Sequence, residues 1–183
     1  TLGYANDHPH FETARKAIRK LLVEHKDEAW CQPCLSPVWD TALAMQALME
    51  AGEPTSSPSI DKAAKWVRDL QITNVRGDWA SKARNNVDPG GWAFQYRNDF
   101  YPDVDDTAVV GMALDRADSS ANDEALRRAA RWVIGMQSKN GGWGSFDVDN
   151  THYYLNHIPF AYHGALLDPP TADVSARCLG FLA

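Results

Sequence analysis

Two kinds of helical pattern alternate along this chain, and they differ in how much of their surface is apolar. Residues 39–49 carry Ala42, Leu43, Ala44, Met45, Ala47, Leu48 and Met49, which leaves almost no polar face, and Thr107–Leu114 is similar. A helix apolar all round is predicted to be covered on every side. Residues 61–71 instead put Ala63, Trp66, Val67 and Leu70 on one stripe and Lys62, Lys65 and Arg68 off it. Residues 124–137 do the same, with Leu126, Ala129, Ala130 and Val133 against Arg127, Arg128 and Arg131. An earlier half-unit, Ala14, Ala17, Ile18, Leu21 and Leu22, has helical spacing too. Buried helices alternating with surface helices are what an inner ring wrapped by an outer ring produces. The predicted class is therefore all-α, part of an α/α toroid (α/α barrel), with the inner helices 39–49 and 107–114 running parallel.

The alternation is also an internal repeat with a constant offset of 66 residues. Asp40-Thr41-Ala42 recurs as Asp106-Thr107-Ala108, and Ala63-Ala64-Lys65-Trp66-Val67 with Gln71 recurs as Ala129-Ala130-Arg131-Trp132-Val133 with Gln137. Each Gln is followed by a turn and a Gly-x-Trp, read as Gly77-Asp78-Trp79 and Gly141-Gly142-Trp143, and a third copy starts at Asp173. Between the repeats, Arg84–Tyr101 contains Pro89-Gly90-Gly91 and is crowded with Trp92, Phe94, Tyr96, Phe100 and Tyr101, so a packed loop or short strand is predicted. Residues 144–170 form a second long connection, and ordered connections at one end of a ring are where sites are built.

Composition narrows the chemistry. Of 183 residues, 44% are hydrophobic and 23% charged, which fits a folding chain and excludes wholesale disorder. A net charge of −6 with scattered Lys and Arg argues against a nucleic-acid surface and against a polybasic lipid anchor. There is no apolar run of about 18 residues to span a bilayer, and the first ten residues lack signal-peptide character, so a cytosolic setting is expected. Cys31-Gln32-Pro33-Cys34 is a lone C-x-x-C without the second pair a zinc site needs. The chain opens on Thr1 without Met and carries seven Trp; residues 1–183 are read as an excerpt of one barrel domain, truncated at both ends and exposing apolar inner-helix surface.

Parallel inner helices gather their N-termini at one mouth, where repeat-equivalent residues meet. Asp40 and Asp106 are equivalents, Asp173 matches Asp105, and Asp103-Val104-Asp105-Asp106 adds three carboxylates within four positions. Helix capping explains one Asp per helix start but not three together. Crowded carboxylates cannot all ionise, so a neutral acid survives near neutral pH. Metal binding is the rival reading of such a run. Trp39 stands beside Asp40, and Trp92, Phe94 and Phe146 lie on the connections near the same mouth, where their faces can stabilise a cation. A strong acid against an aromatic-lined apolar cavity suggests protonating a hydrocarbon and steering the carbocation.

Ser36-Pro37-Val38-Trp39-Asp40-Thr41, Pro102-Asp103-Val104-Asp105-Asp106-Thr107-Ala108 and Gly135-Met136-Gln137 through Gly141-Gly142-Trp143-Gly144 resemble the bacterial squalene-hopene cyclases, over essentially the whole chain. The Gln…Gly-x-Trp units look like that family's structural QW repeats. The resemblance implies that Asp105 protonates a terminal double bond of squalene, with Asp103 and Asp106 supporting it and Asp40, Asp173 and Arg177 behind them. It further implies that Trp39, Phe94 and Phe146 stabilise cations, that the product is hopene or hopanol, and that no cofactor or metal takes part. Phe146 stands where members often have Tyr. Arg177 stands where some have His, and at i+4 from Asp173 it is expected to hold that carboxylate. For the complete enzyme the resemblance implies peripheral contact with the cytoplasmic face of a membrane, through a region outside this excerpt, and a possible homodimer. The rivals are another class II terpene cyclase, of oxidosqualene or diterpene type, and a non-catalytic helical binding module.

Overall fold

The computed structural model describes residues 3–5, 7–32, 34–159 and 166–183. Residues 160–165 of the second connection, and Pro33 of the C-x-x-C segment, lie outside the described residues. The chain divides into two compact units, residues 1–35 and 36–183.

The first unit holds α1 (Pro9–Lys20) and an antiparallel hairpin of β1 (Leu22–His25) and β2 (Glu28–Cys31). Here the first helical half-unit is shorter than its pattern predicts. The helix stops at Lys20, so Leu21 and Leu22 leave the stripe that Ala14, Ala17 and Ile18 begin. Val23 pairs across the hairpin with Trp30, and His25 stacks on the Trp30 ring at 5.1 Å, a cross-strand pair of the kind that stabilises short ribbons.

The second unit is α2 (Pro37–Glu50), α3 (Pro58–Asp69), α4 (Val104–Gly135) and α5 (Ala172–Leu182). Pro at the first helical position opens both α2 and α3, where its missing N–H costs nothing. Two helices expected separately, 107–114 and 124–137, are arms of α4, which breaks at Asp118 in extended backbone (φ −165°, ψ 95°). The break is built from side chains. Asp118 Oδ1 accepts from Ala121 N at 2.9 Å and caps the second arm, while Asn122 Nδ2 donates to Leu114 O (3.1 Å) and Asp118 O (2.7 Å) and closes the first.

Paired contacts fix the direction of the inner helices. Along α2 and the first arm of α4, Gln46 Nε2 donates to Val109 O (3.0 Å) and Glu50 pairs with Arg116 (2.8 Å), so both run the same way. Along α5, Arg177 meets Asp105 and Phe181 lies against Gly111, again in matching order. The parallel arrangement expected of an α/α toroid is therefore present in three successive inner helices. The first arm of α4, between α2 and α5, is covered all round: Thr107, Ala108, Val110, Ala113 and Leu114 are fully buried. Full cover does not extend to α2. Val38, Ala42, Met45 and Met49 are buried there, but Leu43 is 41% and Leu48 45% exposed, because among the described residues of this unit α2 has an inner-helix neighbour, α4, on one side only.

The repeat itself needs one reassignment. Trp143 Nε1 donates to Val133 O at 2.7 Å, and the residue doing the same for Val67 O, at 2.6 Å, is Trp92 and not Trp79. The backbones agree. Asp103 N donates to Trp92 O and Thr171 N to Trp143 O, while Trp92 N and Trp143 N donate to the hydroxyls of Thr107 and Ser175. The nearer Gly77-Asp78-Trp79 matches only by local spacing; the connection 72–89 is a lengthened counterpart of 138–140 and carries two short 3₁₀ turns, Asp78–Ser81 and Arg84–Asn86. Gly91 is required for the closure, since a Cβ there would sit 2.8 Å from both Thr107 Oγ1 and the Trp132 ring.

Candidate active site

The acid run begins α4, and its first residue does the capping. Asp103 Oδ1 accepts from Asp105 N (2.7 Å) and Asp106 N (3.2 Å), so the following carboxyls are released from that duty and project from the first turn. Asp106 is 2% exposed, and its Oδ1 has no hydrogen-bond partner among the described residues. Asp105 meets Arg177, whose Nη1 lies 2.9 Å from Oδ1 and 3.0 Å from Oδ2. The expected hold of Arg177 on Asp173 is thus the lesser contact, at 3.8 Å. The same guanidinium lies over the Trp39 ring, 5.6 Å from its centroid, which links the half-buried Trp39 to the acids through a cation. Asp40 accepts from Ser36 Oγ at 2.7 Å, close enough to Asp106 for its charge to be felt there.

Burial raises the pKa of all three run members, because the charged form loses hydration. Burial pushes Asp103 up to about 7 against its two backbone hydrogen bonds, and Asp106 up to about 8 with help from the charges of Asp103, Asp105 and Asp40. The Asp105 carboxyl also stays above the usual carboxylate range, burial outweighing the Arg177 cation. Asp173 goes the other way, held below that range first by the Thr171 side chain. The mouth therefore holds neutral carboxylic acids beside a permanent cation. The buried Cys178 thiol, pushed up to about 12, takes no part as a thiolate.

A stability signature follows. Asp103 and Asp106 keep their protons in the fold at a pH where the unfolded chain, with carboxyls near 3.8, has released them. The unfolded state then binds fewer protons, so this contribution is complete below about pH 4 and is lost as pH rises towards about 8. Thermal melts of the complete protein between those limits should show Tm falling with pH, with a shallower fall in Asp106→Asn. An identical profile in the variant would show that Asp106 is ionised throughout.

Phe146 lines a cavity of about 340 Å³ with Trp79, Tyr101 and Pro102, and Phe94 is half-buried on the loop after Trp92. Sequence reasoning missed two features here. Trp79 contributes to the cavity wall, edge-on to Trp132 at 5.6 Å. Asp168 accepts hydrogen bonds from the backbone N–H groups of Ser145, Phe146 and Asp147, a role no local motif announces. Among the described residues no group of three or more His, Cys, Asp or Glu side chains is set to hold a metal ion.

The family model of the squalene-hopene cyclase C-terminal domain matches residues 35–183. A squalene-hopene cyclase of Zymomonas mobilis is 54% identical over the whole of this chain and 29% of its own length, and one of Schizosaccharomyces japonicus is 57% identical over the same shares. A dammaradiene synthase of Dryopteris crassirhizoma is 43% identical over 98% of this chain and 26% of its own length. The chain thus spans less than a third of the length of these relatives.

Proposed function

Because this chain belongs to the squalene-hopene cyclase family, we propose that it carries the proton-donating end of an enzyme that cyclises squalene to hopene and hopanol. The observation that supports this most directly is the acid group of buried Asp103 and Asp106 and half-buried Asp105, with Arg177 against it. An alkene is a very weak base, so only a neutral, poorly hydrated acid held against the double bond will protonate it. Asp105 is the donor in this reading. Its carboxylate, once formed, lies within hydrogen-bond distance of Arg177, so the cation stabilises the charge left behind and favours transfer at the moment it occurs. Asp103 and Asp106 hold their protons nearby and limit the charge the mouth must bear.

The C–H bond formed on one terminal alkene carbon leaves a tertiary cation on its neighbour, and successive double bonds attack it to close the rings. Loss of a proton from the last cation gives hopene, an isomer of squalene, and capture of water there gives hopanol; each course returns one proton to solvent. The faces of Trp39, Phe94 and Phe146 stabilise intermediate cations by about 0.5–2 kcal/mol each. Squalene is a hydrocarbon that dissolves in membranes, so the same proposal sets the complete enzyme against the cytoplasmic face of one. No described helix is long and apolar enough to cross it.

The direct test is to supply squalene to the complete cyclase carrying this segment, in D₂O, and identify the products. One deuterium per pentacycle, on the carbon first protonated, is expected; unreacted polyene that remains bound would favour a binding module, and a different skeleton another class II cyclase. In the same assay Phe94→Ala should preserve initiation and release incompletely cyclised products, since it removes a π face without touching the acid. Full cyclisation in that variant would take Phe94 out of the cavity set.

A further inference from the structure

Asp168 lies outside the acid motif and carries no proton in the scheme above, yet it makes the densest set of hydrogen bonds around the Phe146 loop. Its Oδ1 accepts from Ser145 N at 3.0 Å, and its Oδ2 accepts from Phe146 N at 2.6 Å and Asp147 N at 2.7 Å. Three successive N–H groups converging on one carboxylate form the concave anion site that backbone turns offer, here filled by the chain's own side chain. Asp168 is fixed in turn by its backbone, since Asp168 N donates to Asn150 O (3.2 Å). Gly144 permits the approach: a Cβ there would lie 2.6 Å from Asp168 O and 2.7 Å from Oδ2.

The next bond gives this clamp its reach. Ser145 O accepts from Val104 N at 2.7 Å, and Val104 sits inside the acid run between Asp103 and Asp105. One peptide unit therefore ties Asp168 by its N–H and the start of α4 by its carbonyl. The Phe146 ring hangs from the residue next to it.

We propose that Asp168 is a positioning residue that sets where the Phe146 ring stands relative to the acid helix, and so decides how far cyclisation proceeds before the cation is quenched. The proposal rests on reading Phe146 as a substrate-facing aromatic. A loop released from Asp168 retains the ring but not its place, so the acid still initiates while a later cation loses its partner.

The test compares Phe146→Ala, Asp168→Ala and the double variant in the complete cyclase, by products from squalene and by Tm. Asp168→Asn is the second variant: its amide sets a donor against at least one of the three N–H groups but changes the volume little. Asp168→Ala is expected to raise the fraction of incompletely cyclised products severalfold, towards the Phe146→Ala spectrum, with no further change in the double variant. Squalene consumption should fall by less than the about 100-fold that misplacing the acid itself would cost. Should Asp168→Ala fail to fold, Asp168→Asn decides, with a smaller shift of the same kind. A lowered Tm with an unchanged product spectrum, while Phe146→Ala does shift products, overturns the proposal and leaves Asp168 a fold residue. If Phe146→Ala itself shifts nothing, the reading of Phe146 fails and the proposal falls with it.

Discussion

Asp105→Asn in the complete enzyme should cut squalene turnover by about 10²–10⁴-fold while the substrate still binds. The substitution keeps the shape of the side chain and an acceptor for Arg177, which lies 2.9 Å from Oδ1, but it removes the transferable proton. Asp103 and Asp106 cannot replace it at full rate. Asp103 is oriented by its two capping bonds and Asp106 is 2% exposed, whereas Asp105 is the more exposed member of the run. Single-turnover kinetics with squalene, alongside a binding measurement, separate the two effects: uniform weakening would appear in binding, loss of the acid in the chemical step alone. Near-normal turnover would mean that the donor is another residue, and that the run is better read as helix-start residues.

Trp92→Ala should destabilise the second unit by about 3–5 kcal/mol, the range for deleting a fully buried Trp. Trp92 is 0% exposed, packs with the cluster that joins α2, α3 and α4, and donates from Nε1 to Val67 O at 2.6 Å. Trp92→Phe isolates the hydrogen bond and should cost about 1–3 kcal/mol, since a buried carbonyl loses its donor. Trp79→Phe is the control: Trp79 is also buried, but its Nε1 has no hydrogen-bond partner among the described residues, so the loss should be smaller. Denaturant midpoints of the three variants rank them, and a greater loss at Trp79 would return that residue to the repeat.

The architecture was legible because two independent signals agreed, the all-apolar pattern of 39–49 and 107–114 and the recurrence of Asp-Thr-Ala and Trp-Val. Periodicity cannot see a helix corner, however. Asp118 and Asn122 read as two polar residues in a polar stretch, and only their bonds to Ala121 N and Leu114 O show one helix bent into two. Gly77-Asp78-Trp79 is the nearer Gly-x-Trp to Gln71, yet Trp92 takes the place that Trp143 has in the other repeat. Gly90-Gly91-Trp92 mirrors Gly141-Gly142-Trp143 closely, but a connection of unequal length hides the match. At the site, the acids were legible as a cluster, whereas the choice of Arg177 between Asp173 and Asp105 was not. Helical spacing made Asp173 the nearer candidate, and the inter-helix approach that brings Asp105 closer, 72 residues away, leaves no mark on sequence spacing. Asp168 is the same case, since its partners are 21 to 23 residues away.

The corner at Asp118 also bears on the order in which this region assembles. Its bonds join residues three, four and eight apart, whereas the contacts that complete the acid site run from Val104 to Ser145 in the Phe146 loop and span 72 residues to Arg177. Loop-closure entropy rises with that separation, and local contacts form first. The two arms of α4 are thus expected to start folding on their own, and the acid mouth to be the last seam to close. What closes last opens first, so amide exchange at Val104 and Asp105 should outrun exchange at Asn122, with the molecule losing its chemistry to heat before it loses its helices.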